Sequence, residues 1–276
     1  MLRIGQIEYA NCTPIYHILR EHFPCSEYEF VKGVPTELNR LLALGDIDVC
    51  PSSSVEYALH HDQYRIFPQL SISSDGVVAS VLLFTRIPIE DLDGNTILLS
   101  SESATSVNLL KILMAQRYNC CCRYVVTSLS LSDALLDSPA LLLIGDAALR
   151  ASFSDSGLLM YDLGTLWRDW TGLPFVFALW LSRKDVADRA SLKELANKLI
   201  QARILLPMHY SEIAGQAIET SWMGYDRLLT YWRDNILYDL DMRKTSGLLT
   251  FFQKCSELGL IASVPELCFI DMANQD

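Results

Sequence analysis

Thr96-Ile-Leu-Leu-Ser-Ser-Glu-Ser-Ala-Thr-Ser-Val-Asn-Leu-Leu-Lys-Ile-Leu-Met114 decides how this chain is read. A short apolar strand passes through a hydroxyl-rich turn straight into an amphipathic helix, the βα unit of a layered α/β protein. The first turn of a helix leaves N–H groups without partners and carries the positive end of the macrodipole. Ser103, Thr105 and Ser106 can therefore hold an anion there without a lysine. Capping the helix would account for one hydroxyl, whereas four serines and a threonine stand in the seven residues from Ser100 to Ser106.

Working outward, strand and helix signals alternate. Leu2 to Ile7 reads as a strand, then a helix from Pro14 to Arg20, a strand from Tyr28 to Lys32, a helix from Pro35 to Leu44 and a strand from Ile47 to Cys50. Pro14 and Pro35 suit the first turn of a helix, and Gly45 suits a helix end. The alternation predicts a parallel sheet. Two nearly continuous apolar runs, Val77 to Thr85 and Phe175 to Leu181, read as buried strands forming a paired crossover. Between them lies a second α/β unit: strands Thr96 to Leu99, Tyr124 to Thr127 and Ala140 to Ile144, helices Val107 to Arg117 and Ser132 to Leu136, and Gly145-Asp146 opening another helix. The expected architecture has one lobe from residues 1–85 plus 180–276 and a second from 86–179. Thr85 to Asp91 and Ala178 to Ser182 would join them beside a cleft suited to ligand capture. From Lys184 onward the chain reads as mostly helical, packed back on the first lobe.

At 276 residues, half of them hydrophobic, the chain can bury a substantial core. No apolar run approaches the roughly 20 residues of a membrane span. The first residues read as a strand rather than a secretory signal, so a cytoplasmic location is expected. The eight cysteines lack zinc-ligand spacing even at Cys120-Cys121-Cys122, and no metal or cofactor is expected. A formal charge of −11 without basic clusters argues against nucleic acid and anionic membranes as partners. It does not argue against a small anion, because local dipoles dominate a screened global field at contact distance. Oligomeric state is not legible.

Ligands of open α/β sheets bind beyond the carboxyl ends of the strands, so polar residues there are informative. Asn11 follows the first strand and precedes Pro14, where a helix cap is the simpler role and a carboxylate or hydroxyl contact the sharper one. Ser52, Ser53 and Ser54 follow the third strand, and capping leaves two of those hydroxyls unassigned. Ser80 interrupts an apolar strand at the hinge, either bonded to backbone or donating into the cleft. Asp146 is a helix cap first and a general base second. None of the five histidines has a catalytic spacing. Trp167, Trp170, Phe175, Phe177 and Trp180 could line an aromatic pocket, although core packing is the commoner role.

An ordered set of segments carries a resemblance. It comprises Gly5-Gln-Ile-Glu-Tyr-Ala-Asn11-Cys-Thr-Pro14, Glu37 to Leu42 with Gly45-Asp-Ile-Asp48, Ser53-Ser-Val-Glu-Tyr57, Ser74-Asp-Gly76 with Ala79-Ser80-Val81, Ser103-Ala-Thr105-Ser106, Leu143-Ile-Gly145-Asp146, Asp162 to Trp167, and Thr171 to Trp180. Together they resemble the chorismate dehydratases of the futalosine route to menaquinone. The resemblance implies an α/β fold like the two-lobed type II periplasmic solute-binding proteins, with a ligand cleft between lobes and a mostly helical C-terminal segment. It also implies elimination of water from chorismate, a dicarboxylate, to give 3-[(1-carboxyvinyl)oxy]benzoate. On that reading Asn11 and Ser80 are the catalytic positioning groups, with the substrate's enolpyruvyl carboxylate as the base. Ser53, Ser54, Ser103, Thr105, Ser106 and Asp146 are substrate contacts. Ala10 and Thr13 stand where members of that family often carry larger apolar residues. Two other functions share the fold: a non-catalytic small-anion-binding module, and the later 1,4-dihydroxy-6-naphthoate synthase of the same route.

Overall fold

The computed structural model describes residues 1–100, 104–154 and 157–272, so Ser103 lies outside the described residues. Leu2–Ile7 forms β1, followed by α1 (Thr13–His22), β2 (Tyr28–Gly33), α2 (Pro35–Leu44), β3 (Val49–Ser53), α3 (Ser54–Leu59) and β4 (Tyr64–Ser74). Next come β5 (Val81–Thr85), β6 (Thr96–Ser100), α4 (Ala104–Ile112), β7 (Arg123–Thr127), α5 (Leu131–Asp137), β8 (Ala140–Ile144), α6 (Gly145–Ser152), β9 (Leu159–Asp162) and α7 (Leu163–Thr171). The chain then enters β10 (Phe175–Arg183) and continues through α8 (Ala190–Gln216), α9 (Thr220–Met223), α10 (Tyr225–Thr230) and α11 (Met242–Glu257). No described helix is long and apolar enough to cross a membrane.

Two five-stranded sheets result, ordered β2-β1-β3-β10-β4 and β7-β6-β8-β5-β9. They are mixed: the parallel pairing expected from the alternation holds for β1, β2 and β3, and the sheets as wholes depart from it at β5 and β10. β1 is parallel to β2 and β3, and β6 to β7 and β8, whereas β10 runs against β3 and β4, and β5 against β8 and β9. The cause is connectivity. The βα units end their strands at the cleft, while β5 and β10 start there, because they are the strands on which the chain enters each sheet from the other. For the same reason the two apolar runs do not pair with each other. The crossings lie near residues 75–80 and 172–174, upstream of both expected hinges, so β5 belongs to the second sheet and all of β10 to the first.

Local chemistry explains the element ends. α2 starts on Pro35 and stops at Gly45, whose φ of 80° lets its N–H reach the carbonyls of Leu41 and Leu42. β5 and β10 are buried almost throughout, as continuous apolar runs require. β4 tolerates Pro68 and a left-handed Gln69 (φ 60°) because it is an edge strand. Its outer side is covered by the C-terminal segment: Ser73 bridges Leu237, and Ile66 bridges Phe269. The helical remainder thus packs on the first sheet, as expected, and α11 also reaches across to α4.

α11 approaches β10 at backbone distance, since a Cβ on Gly247 would lie 2.1 Å from the Pro174 carbonyl oxygen. Gly247→Ala is expected to lower stability by about 1–3 kcal/mol through overpacking. Urea unfolding measures it, and an unchanged midpoint would show that α11 can shift freely.

Candidate active site

Where the two sheets face each other lies a small cavity. It is lined by residues at the carboxyl ends of strands and at helix starts. Asn11 immediately precedes the cap of α1, Pro35 opens α2, Ser53 is the cap position of α3, Ser106 sits in the first turn of α4, and Gly145 opens α6. Five helix N-termini therefore converge on one space. The caps of α1, α2, α3 and α6 make no side-chain hydrogen bond, and neither do those of α8, α9 and α10 away from the cavity, whereas Ser130, Asp162 and Asp241 cap α5, α7 and α11 with theirs. Each such terminus favours an anion by about 0.3–1 kcal/mol, and up to about 2 kcal/mol where partly buried. The rest of the wall is mainly apolar, including Ile7, Ile72, Val81, Ile144, Phe177 and Ile236. Among the described lining residues there is no Asp, Glu, His, Lys or Arg.

Two polar side chains at this cavity are buried without partners. Asn11 Oδ1 and Ser53 Oγ have no hydrogen bond, although both residues occupy positions where the sequence suggests a cap. Cys12 takes the cap position of α1 in place of Asn11. A buried polar group left unmatched costs about 1–3 kcal/mol, which a ligand's polar atoms would recover.

The other predicted contacts divide. Ser80 and Ser106 line the cavity. Ser54 and Thr105 do not: their hydroxyls lie 3.3 Å apart, and Thr105 Oγ1 accepts the Val55 N–H at 3.1 Å, so α3 is capped from the neighbouring sheet's α4. Asp146 is also outside the lining, where its Oδ1 accepts the Ala10 N–H at 2.9 Å. These side chains join the two lobes. Of the aromatic cluster only Phe177 touches the cavity, while Trp167 is buried and donates to the Pro174 carbonyl.

Sequence reasoning gave no role to Asp162 or to the segment after Tyr225. Asp162 caps α7 by accepting the Thr165 N–H at 2.9 Å, and it also accepts the N–H groups of Val78 and Ala79, the latter at 2.7 Å. Those bonds hold Ala79 in the left-handed region (φ 60°) and delay the start of the expected Val77–Thr85 strand to Val81, so that Ser80 turns to the cavity. Burial pushes the Asp162 carboxyl above its usual range, opposed by the N–H donors of Thr165, Ala79 and Val78. From the C-terminal segment, Trp232 donates to the Ala10 carbonyl at 2.7 Å, Tyr238 to the Asn11 carbonyl at 2.8 Å, and Tyr231 to Ser80 Oγ at 2.9 Å. The spacing of aromatic residues at 231, 232 and 238 was the available signal. Gly145 is constrained as well: its φ is 57°, and a Cβ there would sit 3.0 Å from the Tyr9 ring.

Comparison with known proteins adds a lineage to this geometry. The family described as "Menaquinone biosynthesis" matches residues 2–257. A chorismate dehydratase of Thermus thermophilus is 32% identical over 267 residues, spanning 90% of this chain and 93% of that protein. A crystal structure of an Archaeoglobus fulgidus protein superposes with a TM-score of 0.77 at 20% identity, covering 94% of this chain and 98% of the other. The periplasmic aliphatic sulphonate binding protein of Escherichia coli superposes with a TM-score of 0.68 at 13% identity, covering 100% and 95%. The fold is thus that of the periplasmic binding proteins.

Asp162→Ala removes the acceptor for the backbone donors of Val78, Ala79 and Thr165 at once. A stability loss of about 3 kcal/mol is expected from denaturant titration, the order of magnitude for stranding buried donors that bonded a carboxylate. A loss below about 1 kcal/mol would mean the crossing is held by something else.

Proposed function

The chain belongs to the menaquinone-biosynthesis family, and from that membership together with its likeness to the Thermus thermophilus enzyme we propose that it is itself a chorismate dehydratase, a hydro-lyase. The observation that carries the reading is a cavity between the sheets where helix N-termini meet around the unpartnered Asn11 Oδ1 and Ser53 Oγ. Chorismate brings two carboxylates and a hydroxyl to such a space. The helix termini and the hydroxyls of Ser53 and Ser106 hold the carboxylates, and the apolar wall receives the ring.

Loss of the hydroxyl and of the proton on the neighbouring, ether-bearing ring carbon leaves an aromatic ring and one water. Aromatisation drives the reaction, so the protein's task is conformational. With no basic side chain in the described lining, the substrate's enolpyruvyl carboxylate takes the ring proton, and Asn11 and Ser80 fix its approach. The Asn11 amide offers one acceptor and two donors, enough to bridge a hydroxyl and a carboxylate. Orientation in a dry cleft supplies several kcal/mol of the barrier. Asp146, bonded to Ala10, acts in joining the lobes and not as the base.

Purified protein mixed with chorismate should consume it and develop the ultraviolet absorbance of a substituted benzoate. Binding without turnover would make it a ligand-binding module and overturn the proposal. Asn11→Ala and Ser80→Ala should each lower kcat by about 100-fold or more, the scale of losing one preorganised polar contact; Asn11→Ala should change the unfolding midpoint little, whereas Ser80→Ala also strands the buried Tyr231 hydroxyl, a cost of about 1–3 kcal/mol. Normal turnover in either variant removes that residue from the mechanism.

A further inference from the structure

Ser80 has a hydrogen-bond environment that decides which way its proton points. The residue is 3% exposed and lines the cavity, and its Oγ accepts the Tyr231 hydroxyl at 2.9 Å. Among the described residues its own proton has one acceptor, the Val78 carbonyl at a long 3.3 Å. A serine hydroxyl has one proton and two lone pairs, so a donor seated on a lone pair commits the proton to the remaining directions. Those are the weak Val78 contact and the cavity.

We infer that Tyr231 is a positioning residue for the dehydration: its phenol fills a lone pair of Ser80 and thereby sets the serine as a donor to the bound substrate. The inference rests on the reading of Ser80 given above. Tyr231 is suited to this use. It opens a wide π-helical turn, Tyr231–Asn235, in which the adjacent Tyr231 and Trp232 are both buried and reach two parts of the site wall. Such turns are common at functional sites. Burial raises the Tyr231 phenol above its ordinary range, the Ser80 bond opposing, so the group keeps its proton throughout the working pH range. A phenol donating to a hydroxyl also polarises it, strengthening the hydrogen bond the hydroxyl makes in turn. Ser80 is thus fixed from two directions, by Asp162 through the Val78–Ala79 backbone and by Tyr231 from the C-terminal segment.

The test is a double-mutant cycle on chorismate turnover. Tyr231→Phe deletes one oxygen and keeps the ring. It should lower kcat by about 5- to 20-fold with KM changed less than about 2-fold, whereas in a Ser80→Ala background the same substitution should change kcat by less than about 2-fold. Wild-type kcat in Tyr231→Phe, or an equal fractional loss in both backgrounds, overturns the inference while leaving the Ser80 reading intact. Full activity in Ser80→Ala alone overturns the Ser80 reading and, with it, this one. Should Tyr231→Phe not fold, 3-fluorotyrosine at position 231 decides: kcat altered in step with the more acidic phenol supports the inference, and unaltered kcat overturns it.

Discussion

On the proposed reading, the structure is organised by the need to hold negative charge without a cation. A carboxylate taken out of water demands compensation, and a protein of net charge −11 supplies none from its global field. Here the compensation is backbone. Strand after strand ends at the cleft and turns into a helix, so the partial positive charge of several first turns falls on one small volume. Such donors are fixed by the fold and need no reorganisation when the ligand arrives, in contrast with a lysine whose long side chain must be ordered. The arrangement works only if the helices start at the cavity edge. That condition constrains the strand lengths and the proline at α2 together.

A cavity assembled from two sheets depends equally on how those sheets are tied. The bonds from Thr105 to Val55 and from Asp146 to Ala10 cross between lobes. Asp75, at the crossing, pairs with Arg168 of α7 and with Arg243 of α11, each at 2.5 Å. Arg150 lies 3.8 Å over the Trp222 ring, and Arg227 lies 4.7 Å over that of Phe153, joining α6 and its end to α9 and α10. The partly exposed ion pairs contribute little singly. The buried hydrogen bonds matter more, because separating the lobes would strand donors such as the Val55 amide. Several candidate ligand contacts are therefore closure contacts. Ser54, Thr105 and Asp146 help the cavity by shutting it.

This division sets the limit of what the chain reveals on its own. β1, α2 and β8 were legible to the residue, because apolar periodicity, Pro35 and Gly45 are local signals. β4 is not among the strands expected from the sequence, and its Pro68 is tolerable because the strand lies at a sheet edge. The strand expected from Val77 failed for a distant reason: Asp162, more than eighty residues along the chain, takes the N–H groups that the ladder would have used. Asn11 and Ser53 look like caps in sequence and are unpartnered in space, while Thr105 looks like a ligand and is a cap for another helix. Strand ends told where polar residues would gather. They did not tell which hydroxyl faces the ligand and which faces a neighbouring helix, because that depends on the approach of two sheets.

On the proposed mechanism, the C-terminal segment is what turns a binding fold to chemistry. Periplasmic binding proteins and this chain share two lobes and a cleft, and likeness of fold does not separate capture from conversion. Capture needs only that the anion be held. Conversion of a flexible dicarboxylate also needs one conformer to be held, within a few tenths of an ångström, so that a group of the substrate meets its own ring proton. Tyr231, Trp232 and Tyr238 brace the Ala10–Asn11 backbone and the Ser80 hydroxyl from behind through buried hydrogen bonds, two of them to carbonyls. A loop with Asn11 at its tip would otherwise be free to follow the ligand. Braced, it makes the ligand follow it, and this restriction, more than any reactive side chain, is what a reaction using the substrate's own base requires.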